Sequence, residues 1–362
     1  MKADHIEDSC GFQKDKDFLG DRKKVVVMIF VTVVIGFGVN IIISLLSDFD
    51  KVLALLGKVK IQQLLIPFLI YLFINFLDSF RLIAIASVLD CRISLKDAFY
   101  NSVMGVFISH LTPSASGGFP FQVLHLKSIG CNSKVATNII VSRYLVYMFS
   151  ATLMVLLFLK EIVDIIGKEL MGTKFLILGL LVSFGLTILL SLVFFFPHGL
   201  IRIIHVLDII LKKKEKARSR IHTFEKWTQD FRESMLFLWK HNFRSVLLDA
   251  GLCNLALFLQ AFSLYYVLAV FTPVQIGPLT FLLIFVLSNL VAYYLPTPGG
   301  SGGIEGVYSL VMSGLLAQPD VVAAALFIWR FSTYYLHLLF GFVVLVLYRR
   351  KKKNSPLSLP EK

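Results

Sequence analysis

The chain has 362 residues, of which 57% are hydrophobic and only 16% charged, with a formal net charge of +13 and a mean hydropathy of +0.77. A water-soluble domain carries about 45–50% apolar and about 25% charged residues, so this composition excludes a soluble globular protein and points to a polytopic membrane protein. At ~20 residues per span the apolar stretches consume most of the length, and no room is left for a separate soluble catalytic domain.

Residues 1–24 hold six acidic and six basic side chains without apolar periodicity, which predicts a solvated arm. Residues 25–46 follow without a charge. They are too long for a signal-peptide core and no small-residue cleavage site follows, so this is a retained span. Further spans are expected at 64–89, 135–159, 175–196, 246–271 and 321–348. Two more apolar segments, 98–129 and 278–317, are interrupted by TPSASGGFP and PTPGGSGG. Proline removes a backbone donor and glycine weakens a helix, so neither segment continues through its break. Non-helical backbone at membrane depth survives only where protein buries it or where it lines a wet cavity.

Lysine and arginine settle the expected orientation. With a cytoplasmic N-terminus, 27 of them fall in cytoplasmic segments, six in the opposite loops and three inside apolar segments. The positive-inside rule is then satisfied with both termini cytoplasmic in a cell membrane. The expected organisation is an arm (1–24), a first membrane half (25–197) with a re-entrant loop at 98–130, and a basic cytoplasmic segment (198–244). A second membrane half (245–348) with a re-entrant loop at 278–317 and a basic tail (349–362) complete it. In the 198–244 segment, Phe224, Trp227, Phe231, Met235 and Leu238 recur at helical spacing, which predicts an amphipathic helix on the cytoplasmic surface drawn to anionic lipid. Cys10, Cys91, Cys131 and Cys253 show neither CxxC nor metal spacing and read as free thiols.

The two breaks are related. Thr112-Pro113-Ser114-Ala115-Ser116-Gly117-Gly118 and Thr297-Pro298-Gly299-Gly300-Ser301-Gly302-Gly303 agree at five of seven positions with an offset of 185, and the same offset superimposes the flanking spans. Each half is thus span, re-entrant hairpin, span, in opposite orientation. The expected fold is an all-α polytopic membrane protein of about six full spans plus two hairpins in inverted-topology repeats. Paired Gly/Pro-interrupted segments of this kind point to the substrate site of secondary transporters.

Half-helices that begin at mid-membrane present unpaired N–H groups and the positive end of their dipole, a setting for a phosphate. They are expected to start near Gly118 to Gln122 and near Gly302 to Glu305. The loops add backbone donors at Gly117, Gly118, Gly299, Gly300, Gly302 and Gly303 and hydroxyls at Thr112, Ser114, Ser116, Thr297 and Ser301. Three arginines, Arg81, Arg143 and Arg330, lie within apolar segments and must face partners in the interior. Arg143 and Arg330 follow the two loops on equivalent spans, each with a tyrosine four residues on, Tyr147 and Tyr334, and are the candidates for gripping an anionic head group. Arg81 reads as structural, paired with Asp78 at i, i+3 with Asn75 on the same side. Glu305, the acid of the second hairpin, suits either a first-turn cap or contact with a cationic substituent. His110, next to the first break, reads as a titratable group or as a packing residue. The run GGSGGIEG approaches a dinucleotide fingerprint but opens no βαβ unit, and no P-loop, metal-ligand or catalytic motif occurs, so no cofactor, metal or catalytic residue is expected and no nucleic acid as partner.

At SHLTPSASGGFPFQ (109–122), LPTPGGSGGIEG (295–306) and the two Arg-bearing spans after them, the sequence resembles the lysylphosphatidylglycerol synthase transmembrane family, the flippase-like region of multiple peptide resistance factor. The resemblance covers about residues 20–350. It implies a lipid translocase for an anionic or aminoacylated phospholipid such as lysyl-phosphatidylglycerol. It also implies, as alternatives, a member of a phosphatidylglycerol lysyltransferase system acting in cationic antimicrobial peptide resistance beside a separate synthase, or a non-transporting scaffold. Full-length relatives carry a C-terminal lysyltransferase domain that is not expected in this sequence, so the resemblance leaves that activity in doubt.

Overall fold

The computed structural model describes residues 22–112, 115–158, 235–292 and 302–353, with a few positions between 160 and 233. All regular elements among them are helical. They are α1 (Arg22–Leu46), α2 (Phe49–Leu56), α3 (Ile61–Val88), α4 (Leu95–Leu111), α5 (Gly118–Ser128) and α6 (Ser133–Leu157), then α7 (Phe243–Phe271), α8 (Pro278–Ala292), α9 (Gly303–Leu316), α10 (Pro319–Arg330) and α11 (Leu336–Lys353). A π-turn, Phe331–Tyr335, joins α10 to α11 in one span. Among the described residues, five stretches are long and apolar enough to cross a membrane: 25–46, 61–88, 133–157, 243–271 and 319–348. The expected span at 175–196 lies outside the described residues.

Both interrupted segments fold as hairpins of short helices. In the first, α4 and α5 run antiparallel: the Asn101 side-chain amide donates to the Gln122 carbonyl at 3.0 Å and meets His125 Nδ1 at 3.0 Å, one turn and more below the tip. A seam of small residues lets them close. A Cβ on Gly118 would lie 1.9 Å from Ser109 Oγ, and one on Gly105 2.6 Å from the Gln122 amide. In the second hairpin, the Tyr308 hydroxyl of α9 donates to the Phe285 carbonyl of α8 at 3.1 Å. The half-helices begin where the sequence predicts, at Gly118 and Gly303.

The two units are arranged in opposite senses. At one end of the molecule, α2 packs its buried Val52 against Ala323 and Ala324 of α10, with Phe271 from the end of α7 beside them. At the other end, Tyr348 of α11 stacks on Tyr100 at the start of α4, with ring centroids 3.7 Å apart. The first hairpin therefore leaves and returns at the end where α11 finishes. The second, whose Val274, Ile276, Leu315 and Leu316 join the cluster that Leu56 and Val59 complete, leaves and returns at the opposite end.

Two expectations need correction. Cys91 and Cys131 are not free thiols; they are joined, with Cα atoms 5.6 Å apart, whereas Cys253 is free and buried. The reason is a shared helix ending. α3 and α5 each stop at a residue in the left-handed region, Asp90 (φ 56°) and Gly130 (φ 103°), and the next amide turns back to the helix, Cys91 N to Ala86 O at 3.0 Å and Cys131 N to Leu126 O at 3.1 Å. That motif sets both cysteines at the same place beyond neighbouring helices. The second correction concerns the amphipathic segment, whose residues 224–231 lie outside the described part. Met235 and Leu238 are fully buried, packed with Val141 and Leu145 of α6 and with the core beside α3, so this end faces protein rather than lipid. Trp239 anchors it, its indole N–H donating to Ser142 Oγ at 3.2 Å.

The long helices α3 and α7, equivalent in the repeat, cross at the centre and are tied by charge. Arg81 Nε donates to Asp249 Oδ1 at 2.7 Å and Nη2 reaches Oδ2 at 3.4 Å, while Nη1 meets Asp78 at 3.1 Å. Arg81 is 7% exposed and Asp249 fully buried. Two predictions follow from this packing. Asp249→Leu leaves a buried guanidinium short of a partner and should destabilise by about 3–5 kcal/mol, whereas Arg81→Met with Asp249→Leu should come close to the parent; thermal unfolding in detergent checks both. Gly118→Leu should open the first hairpin and abolish a cooperative melt, while Gly306→Ala, whose Cβ would meet nothing within 4 Å, should melt like the parent.

Candidate functional site

The second hairpin builds the more complete polar constellation. Gly302, at φ 88°, turns the chain into α9 in a conformation that suits glycine, and its neighbour across the turn is Val39 of α1. Three residues on, Glu305 folds back so that Oε2 accepts from the Gly302 N–H at 2.8 Å. This is the acidic half of a capping arrangement, in which a carboxylate satisfies an orphan donor at the positive end of the helix dipole. The other oxygen, Oε1, accepts from Arg330 Nε at 2.8 Å. Glu305 is fully buried and Arg330 only 4% exposed, and among the described residues Arg330 Nη2 has no hydrogen-bond partner. Arg330 stands eleven residues into its helix, ~16 Å at ~1.5 Å per residue, or about the middle of a ~30 Å hydrocarbon layer.

Aromatic rings extend this pair toward the first hairpin. The guanidinium carbon of Arg330 sits 4.4 Å above the Tyr334 ring, so the Arg-x-x-x-Tyr spacing does bring the two together. Tyr334 in turn lies 4.5 Å from the His110 ring, and its hydroxyl donates to the His110 carbonyl at 3.4 Å. His337 follows, 5.7 Å from His110. Glu305, Arg330, Tyr334, His110 and His337 thus form a continuous series from the N-terminus of α9 to the end of α4, buried throughout except at the partly exposed His110. The π-turn carries Tyr334, in keeping with the frequent location of such bulges at functional sites.

The first hairpin uses its polar groups differently. The Thr112 hydroxyl donates to the Ile108 carbonyl at 2.9 Å and accepts from the Gly117 N–H at 2.9 Å, closing the tip upon itself. Gly118 is buried in the seam against Ser109, and Gln122 covers Gly105 one turn further on. Ser116 is exposed at the tip. Arg143 lies 5% exposed in α6 and binds α3: Nη2 donates to the Asp78 carboxylate and, at 3.1 Å, to the Asp78 carbonyl. Through Asp78 it joins Arg81 and Asp249 in a cluster of two arginines and two aspartates. Tyr147 packs between the cores of the two halves. The structure therefore assembles Gly302, Gly303, Glu305, Arg330 and Tyr334 in one place and Arg143 with Tyr147 on a different helix pair. Ser114, Thr297, Gly299, Gly300 and Ser301 lie outside the described residues.

Three arginines inside apolar segments are matched by three carboxylates, Asp78, Asp249 and Glu305. Asp249 and His337 were missed in reading the sequence, although an acid three residues inside a predicted span is itself a signal that a buried partner exists. At the level where Arg143 joins α6 to α3, the second repeat uses a neutral bond instead: the Trp329 indole N–H donates to Ser263 Oγ at 2.8 Å, Ser263 standing 185 residues after Asp78. Among the described residues, no three His, Cys, Asp or Glu side chains converge on a point that could hold a metal ion.

Comparisons with known proteins agree with this architecture. The chain is 22% identical to a UPF0104 membrane protein of Methanocaldococcus jannaschii over 337 residues, 90% of this chain and 97% of that one. It is 21% identical to a UPF0104 membrane protein of Archaeoglobus fulgidus over 318 residues, 86% and 94% of the two chains. Residues 29–341, which hold both hairpins and every arginine discussed above, match the model of the lysylphosphatidylglycerol synthase transmembrane region, and the protein belongs to that family.

Proposed function

We propose that this protein is a lipid translocase that moves a phospholipid between leaflets, holding its phosphodiester head group at Arg330 beneath the second hairpin. The class includes phosphatidylglycerol and its aminoacylated form, lysyl-phosphatidylglycerol. One observation carries the reading: at mid-membrane depth a single carboxylate, Glu305, bridges a half-helix N-terminus and a buried arginine whose Nη2 is unpartnered among the described residues. The donors suit an anion with two or more acceptor oxygens, and a phosphodiester has the charge and the bidentate geometry that a guanidinium matches. Glu305 becomes the contact for a cationic substituent on an aminoacylated head group. Arg143 stands ten residues into the equivalent span, at similar depth, and provides the corresponding contact in the first half when the two units rock.

The excess of basic residues on one side supports cytoplasmic N- and C-termini and a cell-membrane location. A separate synthase is the fitting partner, supplying the aminoacylated lipid whose export lowers the negative charge seen by cationic antimicrobial peptides. The family description, which names lysylphosphatidylglycerol synthase, supports a lipid of this class.

The test is reconstitution into phosphatidylglycerol-containing vesicles with a fluorescent phosphatidylglycerol in both leaflets, followed by quenching from outside. The parent should expose the inner pool on a timescale on which protein-free vesicles do not. Glu305→Gln with Arg330→Gln keeps a hydrogen-bonded neutral pair but removes the anion site. Loss of bonds to a charged group, about 1.5–3 kcal/mol, should slow movement by about 10- to 100-fold at an unchanged melting profile. Movement as fast as the parent's in that double variant would remove Arg330 from the mechanism, and a parent no faster than empty vesicles would return the protein to a scaffold role.

A further inference from the structure

Resting on that reading, we propose that Glu305 is an internal stand-in for the phosphate and that binding of an anionic head group at Arg330 takes up one proton onto the Glu305 carboxylate. In the closed arrangement, Oε1 and Oε2 occupy the donors that a phosphate would use, Arg330 Nε and the Gly302 N–H. The buried pair is neutral. Adding a phosphodiester without other change would leave two negative charges against one positive in a fully buried place, which costs several kcal/mol in a low-dielectric interior. A proton from water on Glu305 restores neutrality. The Nε–H···Oε1 contact breaks, the arginine turns Nε and the unpartnered Nη2 to the phosphate oxygens, and the protonated carboxyl stays beside them as a donor. On release, the proton leaves with the head group and the carboxylate returns to Arg330. Every charge is accounted for: one cation and one anion before, one cation and one anion after.

The proton belongs on Glu305 by its surroundings. Among the described residues, Arg330 from α10 binds it and Tyr335 of the π-turn interacts with it electrostatically, while Tyr334 lies under the Arg330 guanidinium. His110 from α4 and His337 from α11 stand behind Tyr334 rather than against the carboxylate. α1 offers no ionisable group between Val25 and Leu46. Of these, Glu305 alone can lose a negative charge in exchange for the one that arrives. The first half has no such one-to-one pair, because Arg143 shares Asp78 with Arg81, which holds Asp249 as well. Proton exchange therefore acts at the second hairpin.

The sign follows from linkage. Where Glu305 is ionised in the empty protein, uptake of one proton per head group raises the apparent affinity for phosphatidylglycerol tenfold for each unit by which pH falls. The experiment measures the initial rate of fluorescent phosphatidylglycerol movement at sub-saturating lipid in vesicles of equal internal and external pH, from pH 8 to 5. The parent should accelerate as pH falls, up to about tenfold per unit. Glu305→Gln, a permanent mimic of the protonated acid, should be flat at the parent's low-pH rate. A second measurement needs no variant: adding phosphatidylglycerol to the purified protein in weak buffer should remove close to one proton per bound lipid from solution. Lysyl-phosphatidylglycerol brings its own ammonium groups to Glu305 and should remove none. Lipid movement by the parent that does not depend on pH, or equal proton uptake with the two lipids, overturns the exchange while leaving translocation standing. A pH response that persists in Glu305→Gln and disappears in His110→Gln would move the proton to the histidine and overturn it as well. If the parent moves no lipid at all, the translocase reading has failed rather than the exchange.

Discussion

An ion in the middle of a hydrocarbon layer must have a counter-ion, and the architecture follows from where those partners are found. Arg81, Arg143 and Arg330 each lie deep in an apolar segment, and each is within hydrogen-bonding reach of a carboxylate on a different helix. Because desolvation of a lone guanidinium costs several kcal/mol, these contacts fix which helices touch and at what depth. Arg81 and Asp249 determine the crossing of α3 and α7, Arg143 and Asp78 dock α6 on α3, and Arg330 and Glu305 seat the tip of the second hairpin on α10. Apolar packing, which a lipid tail supplies nearly as well as a neighbouring helix, does not discriminate in this way.

The same backbone plan carries different chemistry in its two halves. Both hairpins begin their second helix at a Gly-Gly pair, yet the first closes on its own threonine while the second closes on a glutamate shared with an arginine. A threonine hydroxyl is neutral and short, so the first tip is finished once its loop is made. A carboxylate has two oxygens and a charge, so the second tip reaches another helix and can be exchanged for another anion. The first half spends its charges on a four-membered cluster that ties the repeats to each other, which suits a pivot. The second half keeps a one-to-one pair, which suits a site.

The all-helical membrane class, the interruptions and the repeat were legible in the sequence because they depend on local properties: hydropathy over about twenty residues, proline and glycine at two places, and a motif recurring at a fixed offset. The start of each half-helix was legible for the same reason, since Gly118 and Gly303 are the first residues beyond the break that can enter a helix. The pairing of Arg330 with Tyr334 was visible as an i, i+4 spacing. The partners of the arginines were not, apart from Asp78 for Arg81, because Asp249 is 168 residues away from Arg81 and no local pattern relates them. The joined cysteines escaped for a similar reason: forty residues separate them, and only the identical endings of α3 and α5 bring them together. Met235 and Leu238 fit a helix stripe that lipid or protein could cover equally well, and periodicity does not say which.

By itself, then, the sequence determined that the chain lies in a membrane, that it consists of two inverted units each broken at the same point, and which charged residues sit where charge is expensive. Tertiary structure decided which charge answers which, and so that the two halves are chemically unlike. The division has a physical basis. Hydrophobic partition and helix breaking are set by neighbours in the chain, whereas the pairing of buried ions is set by the three-dimensional path that brings α3 to α7 and α9 to α10.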